Sequence, residues 1–361
     1  MDDIRRGDAG LIDREAEAET ENRVEARDRE RGRRPGPSQR QERQKAEEDG
    51  RGRHAETPSE IPAKGWNDIL LRVYRGIGDD RILANAAAVT FFALLALFPG
   101  IAALVSIYGL FSDPGSIEQH LDSVSMILPG GAIDVIRDQL HRLAAQPPAT
   151  LGFSLIVSLA ISLWSANGGI KALFDALNTV YEEREKRSFI RLNAQSLTFT
   201  VAMIAFMLVA LACIVALPVA LNYLPGFVGM VLEIARWPAL LVLVALALGC
   251  IYRWGPSRNE PRWRWITWGS AFAAVAWLAF SAVFSFYASH FGNFNKTYGS
   301  LGAVIGFMTW MWLSVVVILV GGKLNAETEH QTARDSTKEG GKPLGARGAK
   351  MADTVGEAQG T

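Results

Sequence analysis

The chain has 361 residues, 49% of them hydrophobic, and its 37 basic residues balance its 37 acidic ones. A formal charge of zero provides no overall basic field, which argues against a nucleic-acid-binding protein. The two cysteines, Cys213 and Cys250, lie inside apolar runs, so a disulfide framework and a cysteine-histidine metal site are both excluded. We therefore expect no nucleic-acid partner, no metal and no cofactor.

The first 62 residues are rich in charged side chains of both signs and almost free of aromatic ones. Such a segment buries too little apolar surface to offset the entropy of ordering, so residues 1–62 are predicted to be a disordered polyampholytic tail of unknown partner. Residues 63–80 then carry apolar side chains at helical spacing, among them Trp66, Ile69 and Val73. This pattern predicts an amphipathic helix lying in the headgroup layer of a membrane.

Residues 81–327 consist mainly of long apolar runs. A transmembrane helix needs about 20 such residues, so the fold class is predicted to be all-α and polytopic. The fourth run is short, because only residues 237–252 lie between Arg236 and Arg253, and it requires snorkelling ends or a locally thinned bilayer. The six predicted spans are residues 83–111, 150–167, 192–217, 237–253, 266–289 and 298–322.

The connections between the spans determine the predicted orientation. Residues 113–149 keep helical spacing on either side of a Pro-Gly-Gly turn, which predicts two short amphipathic helices over one end of the bundle. Six spans place both termini on one side, and the basic residues concentrate in the connections of that side. Basic loops face the cytoplasm, so both termini are predicted to be cytoplasmic, and residues 328–361 are predicted to be a disordered cytoplasmic tail.

Two positions interrupt the apolar runs. Pro99 precedes Gly100 inside the first span, which predicts a kink or a break, either a functional hinge or a simple packing kink. The second span ends at Asn167-Gly168-Gly169, where a charged helical surface begins without a clear stop signal. We predict that one helix leaves the membrane here and continues into water, and these three residues are also a candidate break in a solute pathway.

Several short motifs add a resemblance to a known family. They are Phe91–Pro99; Trp164–Gly169 with Asn178, Tyr181 and Arg187; Tyr252–Pro256; Tyr287 with Phe291; Tyr298–Gly302; and Gly321–Glu327. Through them, roughly residues 81–327 resemble the YihY/BrkB family of bacterial inner-membrane proteins, once labelled ribonuclease BN. The resemblance implies a polytopic all-helical fold in the bacterial plasma membrane and supplies no settled molecular activity. The long charged N-terminal extension departs from the family pattern.

A nuclease is the first functional class to weigh. Phosphodiester hydrolysis usually requires clustered carboxylates or histidines that hold metal ions, or an organised acid-base pair. The cytoplasmic carboxylate cluster, Glu182, Glu183 and Glu185, stands beside Arg184 and Lys186 and has the pattern of a solvated turn. We therefore expect no catalytic residues and no enzymatic activity.

Transport or permeation is the leading hypothesis, and a non-transporting scaffold or envelope-assembly protein is the alternative. No Asp, Glu, Lys or Arg lies deep within a predicted span, so a pathway would suit a neutral or amphipathic solute. A solid core without a polar cavity would favour the scaffold. In either case the expected partner is the lipid bilayer. The sequence leaves open whether the protein forms a homo-oligomer. The asparagines and Glu327 equally fit helix caps or interhelical hydrogen bonds, and the tyrosines fit interface anchors. The candidate pathway or break residues are Pro99, Asn167, Gly168, Gly169, Asn178, Tyr181, Tyr298, Gly299, Asn325 and Glu327.

Overall fold

The computed structural model describes residues 37–48, 50–109, 148–211, 226–290, 302–338 and 340–359. The chain divides into two units, Met1–Glu48 and Asp49–Thr361. In the first unit the described element is helix α1, Pro37–Ala46. The regular elements described in the second unit are helices, and its described residues include no strand beyond an isolated β-bridge between Pro261 and Thr337.

Long helices account for most of the second unit. A short 3-10 helix, Pro58–Glu60, precedes them, and a single turn of helix follows them. In chain order the α-helices of the second unit are the long helices α2 Ala63–Asp79, α3 Ile82–Gly109, α4 Pro148–Val180, α5 Phe189–Leu211, α6 Gly226–Trp254, α7 Trp263–His290 and α8 Gly302–Gln331, followed by the single turn α9 Lys350–Asp353.

Three of these helices differ in detail from the sequence predictions. α4 passes through Asn167–Gly169 without interruption, which confirms that one helix continues beyond the apolar run and excludes a break there. α3 likewise continues through Pro99, so a break at this proline is excluded; the side chains from residue 97 to its end lie outside the described residues. α6 has 29 residues with Pro238 inside it, so the fourth apolar run, Trp237–Trp254, lies close to the predicted 237–253 but belongs to a longer helix that begins at Gly226.

The outer surfaces of the helices are apolar. Among the described residues, four segments are long and apolar enough to cross a membrane: Phe189–Phe206, Trp237–Trp254, Trp263–Tyr287 and Val304–Gln331. Their large apolar side chains face outwards; Val283, for example, is 67% exposed. Soluble monomers rarely expose continuous apolar surface on this scale, so this protein lies in a membrane.

One core joins the helices at the end where α4, α6 and α8 finish. α3 packs extensively against α4, and α8 contacts α2, α3 and α7. The buried side chains of this core include Leu177 and Tyr181 from the end of α4 and its turn, Tyr252 of α6 and Leu319 of α8. At Gly168 and Gly169, α4 lies close to Phe92 and Ala93 of α3. Small residues on α4 therefore permit the close helix contact that membrane bundles require.

The amphipathic helix predicted over 63–80 is observed as α2. Its buried apolar face includes Ile69 and Val73, which pack with Trp265 of α7 and Leu324 of α8. The face is therefore covered by protein. Its placement in the headgroup layer stays a prediction.

The segments on either side of the bundle are more ordered than their composition predicted. Arg53 is 1% exposed and donates hydrogen bonds to the carbonyl oxygens of Gln331 and Gly356. Arg347 is also buried and donates to the carbonyl oxygens of Arg334 and Ala352. The described residues 50–62, 328–338 and 340–359 thus make specific contacts where composition predicted disorder over 1–62 and 328–361. Arginine side chains donate to backbone carbonyl groups there, beside buried apolar side chains such as Ile61 and Met351.

Candidate functional site

The ionisable side chains of the membrane segments lie close to the same end of the bundle as the core. The middle of each of the four apolar segments has no Asp, Glu, Lys or Arg. The charged residues of these segments all lie at the segment ends that reach this region. These residues are Arg191, Arg253, Arg264, Lys323, Glu327 and Glu329. Charge is costly inside hydrocarbon, so its concentration at one end is expected. The candidate functional site lies at this end.

The turn that follows α4 forms one wall of this region. α4 ends at Val180, Glu182 adopts a left-handed conformation with φ of 53°, and the Glu183 amide donates to the Asn178 carbonyl oxygen at 2.8 Å. A left-handed residue of this kind closes a helix by satisfying its last carbonyl groups. The turn thus directs Tyr181 and Glu183 into the protein, where both are buried.

A buried ion pair lies behind this turn. The Arg258 guanidinium donates to both carboxylate oxygens of Glu329, at 2.8 and 2.9 Å, and the two side chains are 1% and 0% exposed. The guanidinium also lies 4.2 Å from the centre of the Tyr181 ring. Burial disfavours the charged form of Arg258, but the Glu329 carboxylate outweighs it and the pKa of Arg258 is raised. Burial raises the pKa of Tyr181 well above its ordinary value, so the phenol stays neutral.

A second buried network connects α2 and the Asp80 that caps it to α8. The Lys323 ammonium lies 2.9 Å from Asp80 and 3.1 Å from Glu327, and the Arg72 guanidinium donates to Glu327 at 2.6 Å. Burial raises the pKa of Asp80, and Lys323 opposes that effect. We refer to both networks together as the ion-pair cluster, composed of Arg72, Asp80, Arg258, Lys323, Glu327 and Glu329.

The side chains of Asn178 and Asn325 hold neighbouring segments together beside the cluster. The side-chain oxygen Oδ1 of Asn178 accepts from the Ser257 amide at 2.7 Å, and its Nδ2 donates to Glu185 at 3.1 Å. The side-chain oxygen Oδ1 of Asn325 accepts from the Gly269 amide at 2.8 Å, where α7 and α8 approach closely. Asn325 therefore makes the interhelical hydrogen bond that was one of its two interpretations, whereas Asn178 bonds to the connection between α6 and α7 and to the turn after α4.

Glu185 is the acidic member of an adjacent surface pair. Arg187 donates to both of its carboxylate oxygens, at 2.6 and 2.7 Å, and also to the Gly255 carbonyl oxygen at 2.9 Å. These hydrogen bonds from Arg187 lower the pKa of Glu185 from 4.5 to about 2. The pair holds the turn after α4 against the connection between α6 and α7.

The depressed pKa predicts how acid acts on this turn. The stabilisation that ionised Glu185 provides is fully present above about pH 4.5 and is lost as the pH falls through about 2. We expect wild type to exceed Glu185→Gln by about 1 kcal/mol in free energy of unfolding at neutral pH, and the difference to vanish towards pH 2. Unfolding in detergent between pH 7 and pH 2 measures it. In an Arg187→Gln background the pH-dependent difference should be lost; a difference that persists unchanged at pH 2 would contradict the assignment.

The structure brings together four of the ten candidate residues. Tyr181 and Glu327 line the ion-pair cluster, with Asn178 and Asn325 beside it. Tyr181 is fully buried, so its interpretation as an interface anchor is wrong. Pro99, Asn167, Gly168 and Gly169 lie on α3 and α4, outside the cluster, and Tyr298 and Gly299 lie outside the described residues.

Arg258, Glu329, Lys323, Asp80 and Arg72 were not predicted as site residues. The spacing of Lys323 and Glu327, four apart at the end of an apolar run, is a signal that the sequence offered. Arg258 and Glu329 are 71 residues apart, and no local pattern identifies such a pair.

The chemistry of the cluster is that of structural ion pairs. Each carboxylate of the cluster faces a cation, which leaves none positioned as a free base. In the described part of the chain, no three His, Cys, Asp or Glu residues are grouped so that they could bind a metal ion. What the region does present to solvent is a basic cleft.

The basic cleft has a volume of about 270 Å³ and opens between the turn after α4, the start of α5 and the connection from α6 to α7. Gly348 of the C-terminal segment contributes to its edge. Its charged lining residues are Lys186, Arg187, Arg191, Arg253, Arg258 and Glu260.

Comparison with known proteins agrees with the membrane fold. A family model described as Virulence factor BrkB matches residues 73–343. The ribonuclease-like protein YfkH of Bacillus subtilis is 30% identical over 250 residues, which cover 67% of this chain and 88% of YfkH. A UPF0761 membrane protein of Pseudoalteromonas translucida is 25% identical over 266 residues, covering 72% of this chain and 85% of that protein.

A UPF0761 membrane protein of Methylibium petroleiphilum is 22% identical over 281 residues, which are 75% of this chain and 64% of that longer protein. No solved structure matches the chain. The family match includes the turn after α4 and every member of the ion-pair cluster except Arg72, and it confirms the resemblance seen in the sequence motifs. The chain belongs to the virulence factor BrkB family of membrane proteins.

Proposed function

We propose that the protein crosses the bacterial inner membrane six times, with both termini in the cytoplasm. Four described segments meet the length and hydropathy of a membrane span, and α3 and α4 supply two further long helices. The basic connections after α4 and α6 lie at one end of the bundle, together with α2 and the C-terminal segment. The preference of basic loops for the cytoplasm supports the assignment of that end to the cytoplasmic side.

We further propose that the protein lets a neutral or amphipathic solute cross the membrane and that it is not an enzyme. The supporting observation is Asn167, whose side-chain oxygen is buried without a hydrogen-bond partner among the described residues. An unsatisfied polar atom in a membrane bundle is costly unless a solute or water reaches it. The middle of the described spans lacks charged side chains, so this oxygen suits an uncharged hydrogen-bond donor.

The test is solute flux in vesicles reconstituted with the purified protein. Uncharged polyols and an amphipathic fluorophore are the probes, and Asn167→Leu should reduce flux about three- to tenfold, the effect of losing one hydrogen bond. Leucine keeps the branching of asparagine at Cγ, whereas a side chain at Gly168 would approach Phe92 to 3.3 Å.

Thr198→Val on α5 is the matched control, because Thr198 is exposed and its hydroxyl bonds only to the Ala194 carbonyl oxygen of its own helix. This variant should leave flux unchanged. Identical leak from vesicles with and without the protein would refute the transport proposal.

The alternative is a membrane scaffold that moves no solute. It is favoured by the solid core at the described end, where Phe174, Leu177 and Tyr252 are almost fully buried and Met351 of the C-terminal segment joins them. Flux measurements distinguish the two functions: correctly folded protein that passes none of the probes would support the scaffold.

A further inference from the structure

The basic cleft differs from the ion-pair cluster in that its cations are not fully neutralised. Arg187, Arg253 and Arg258 have carboxylate partners in Glu185, Glu260 and Glu329. The guanidinium of Arg191 has no partner among the described residues, and this side chain is exposed. Lys186 pairs with Glu183, but its side chain remains 58% exposed. Two cations therefore stay available to an anion in the cleft.

The cleft also lies at the boundary of the membrane. Arg191 stands at the start of the apolar segment Phe189–Phe206, and Arg253 stands at the end of Trp237–Trp254. Beside Arg191, Phe189 is 81% exposed and Ile190 is 80% exposed. Trp254, which lines the cleft, packs edge-to-face against Trp263. Aromatic rings in such a position belong to the headgroup layer of a bilayer.

The neutral groups of the cleft do not compete for the anion. The Gln195 amide donates to the Trp254 carbonyl oxygen at 2.6 Å, and the Asn259 amide donates to the Arg347 carbonyl oxygen at 2.6 Å. These hydrogen bonds hold the side chains of Gln195 and Asn259 in the walls of the basic cleft. The Arg191 guanidinium keeps its donors for a ligand, and a guanidinium can bind two phosphate oxygens at once.

From this arrangement we propose that the basic cleft binds the phosphate of an anionic phospholipid, with Arg191 and Lys186 on the headgroup and the acyl chains along the apolar start of α5. A soluble anion would gain the same charge contacts but would leave Phe189 and Ile190 uncovered. A lipid would contact the cations of the cleft with its phosphate and would cover Phe189 and Ile190 with its acyl chains. The lipid is therefore preferred to free phosphate. The site is independent of which solute the protein moves.

The test is lipid binding to the full chain in detergent micelles, measured by native mass spectrometry with phosphatidylglycerol as the probe. Arg191→Gln should weaken binding at least about tenfold, the effect of losing a charge-assisted hydrogen bond, and adding Lys186→Gln should weaken it further. Arg184→Gln is the matched control, since Arg184 is exposed in the same turn but does not line the cleft. It should bind phosphatidylglycerol like wild type.

Two comparisons identify the source of the phosphate. Phosphatidylcholine, whose headgroup has no net charge, should bind at least tenfold more weakly than phosphatidylglycerol, and inorganic phosphate at millimolar concentration should not displace the bound lipid. Equal binding by wild type and Arg191→Gln would overturn the site. Arg191-dependent binding of inorganic phosphate without binding of phosphatidylglycerol would overturn the assignment to a lipid.

Discussion

Replacing Arg258 with methionine should lower the free energy of unfolding by about 3–5 kcal/mol, because it leaves the Glu329 carboxylate buried without a counter-charge. Both side chains are almost fully buried, so water cannot take the place of the guanidinium. The substitution also removes the cation above the Tyr181 ring. Denaturant unfolding in detergent, followed by the fluorescence of the ten tryptophans, measures the loss.

Two further variants define what this result means. Lys338→Met removes the cation from an ion pair with Glu260 whose side chains are 70% and 38% exposed, so it should cost less than about 1 kcal/mol. Combining Arg258→Met with Glu329→Leu removes both buried charges and should recover a large part of the loss. Equal effects of Arg258→Met and Lys338→Met would show that the buried pair contributes no more than a surface pair.

Replacing Gly269 with alanine is expected to cost about 3 kcal/mol, the upper end of the usual range for overpacking. A β-carbon at this position would collide with the Gly321 carbonyl oxygen and with the Asn325 side chain. A backbone carbonyl cannot rotate away as a side chain can, so α7 and α8 would have to separate. The hydrogen bond from the Gly269 amide to Asn325, at 2.8 Å, would be strained in the process.

Gly78→Ala provides the matched control for this prediction. A β-carbon at Gly78 has nothing within 4 Å, and the residue lies in α2. Alanine should therefore raise the free energy of unfolding by about 0.5–1 kcal/mol through its better helix propensity. If both alanine variants had equal unfolding midpoints, the close approach of α7 and α8 would not limit stability.

The sequence predicted the helices because hydrocarbon imposes their length and composition. The start of α3 at Ile82 and the continuation of α4 beyond Gly169 both followed from where apolar residues begin and end. The length of α6 did not, because Arg236 was taken to mark the start of the span, whereas the helix already begins at Gly226.

The ion-pair cluster was not predictable to the same degree. Asn178, Asn325 and Glu327 were found because they stand at the ends of apolar runs, but their partners come from distant parts of the chain. Arg72 and Glu327 are 255 residues apart, and only the packing of α2 on α8 brings them together. Low apolar content likewise indicated disorder for the segments around Arg53 and Arg347, because composition does not show which carbonyl groups an arginine will reach.

The contacts of Arg53 have a consequence for biosynthesis. Its guanidinium bridges the carbonyl oxygens of Gln331 and Gly356, and the Gly356 amide donates to the His330 carbonyl oxygen at 2.7 Å. A ribosome releases residue 53 long before residue 356, so the hydrophobic helices can partition into lipid while this arginine still awaits its acceptors. Closure of that face consequently has to wait until residue 356 has been synthesised, after helices α3 to α8.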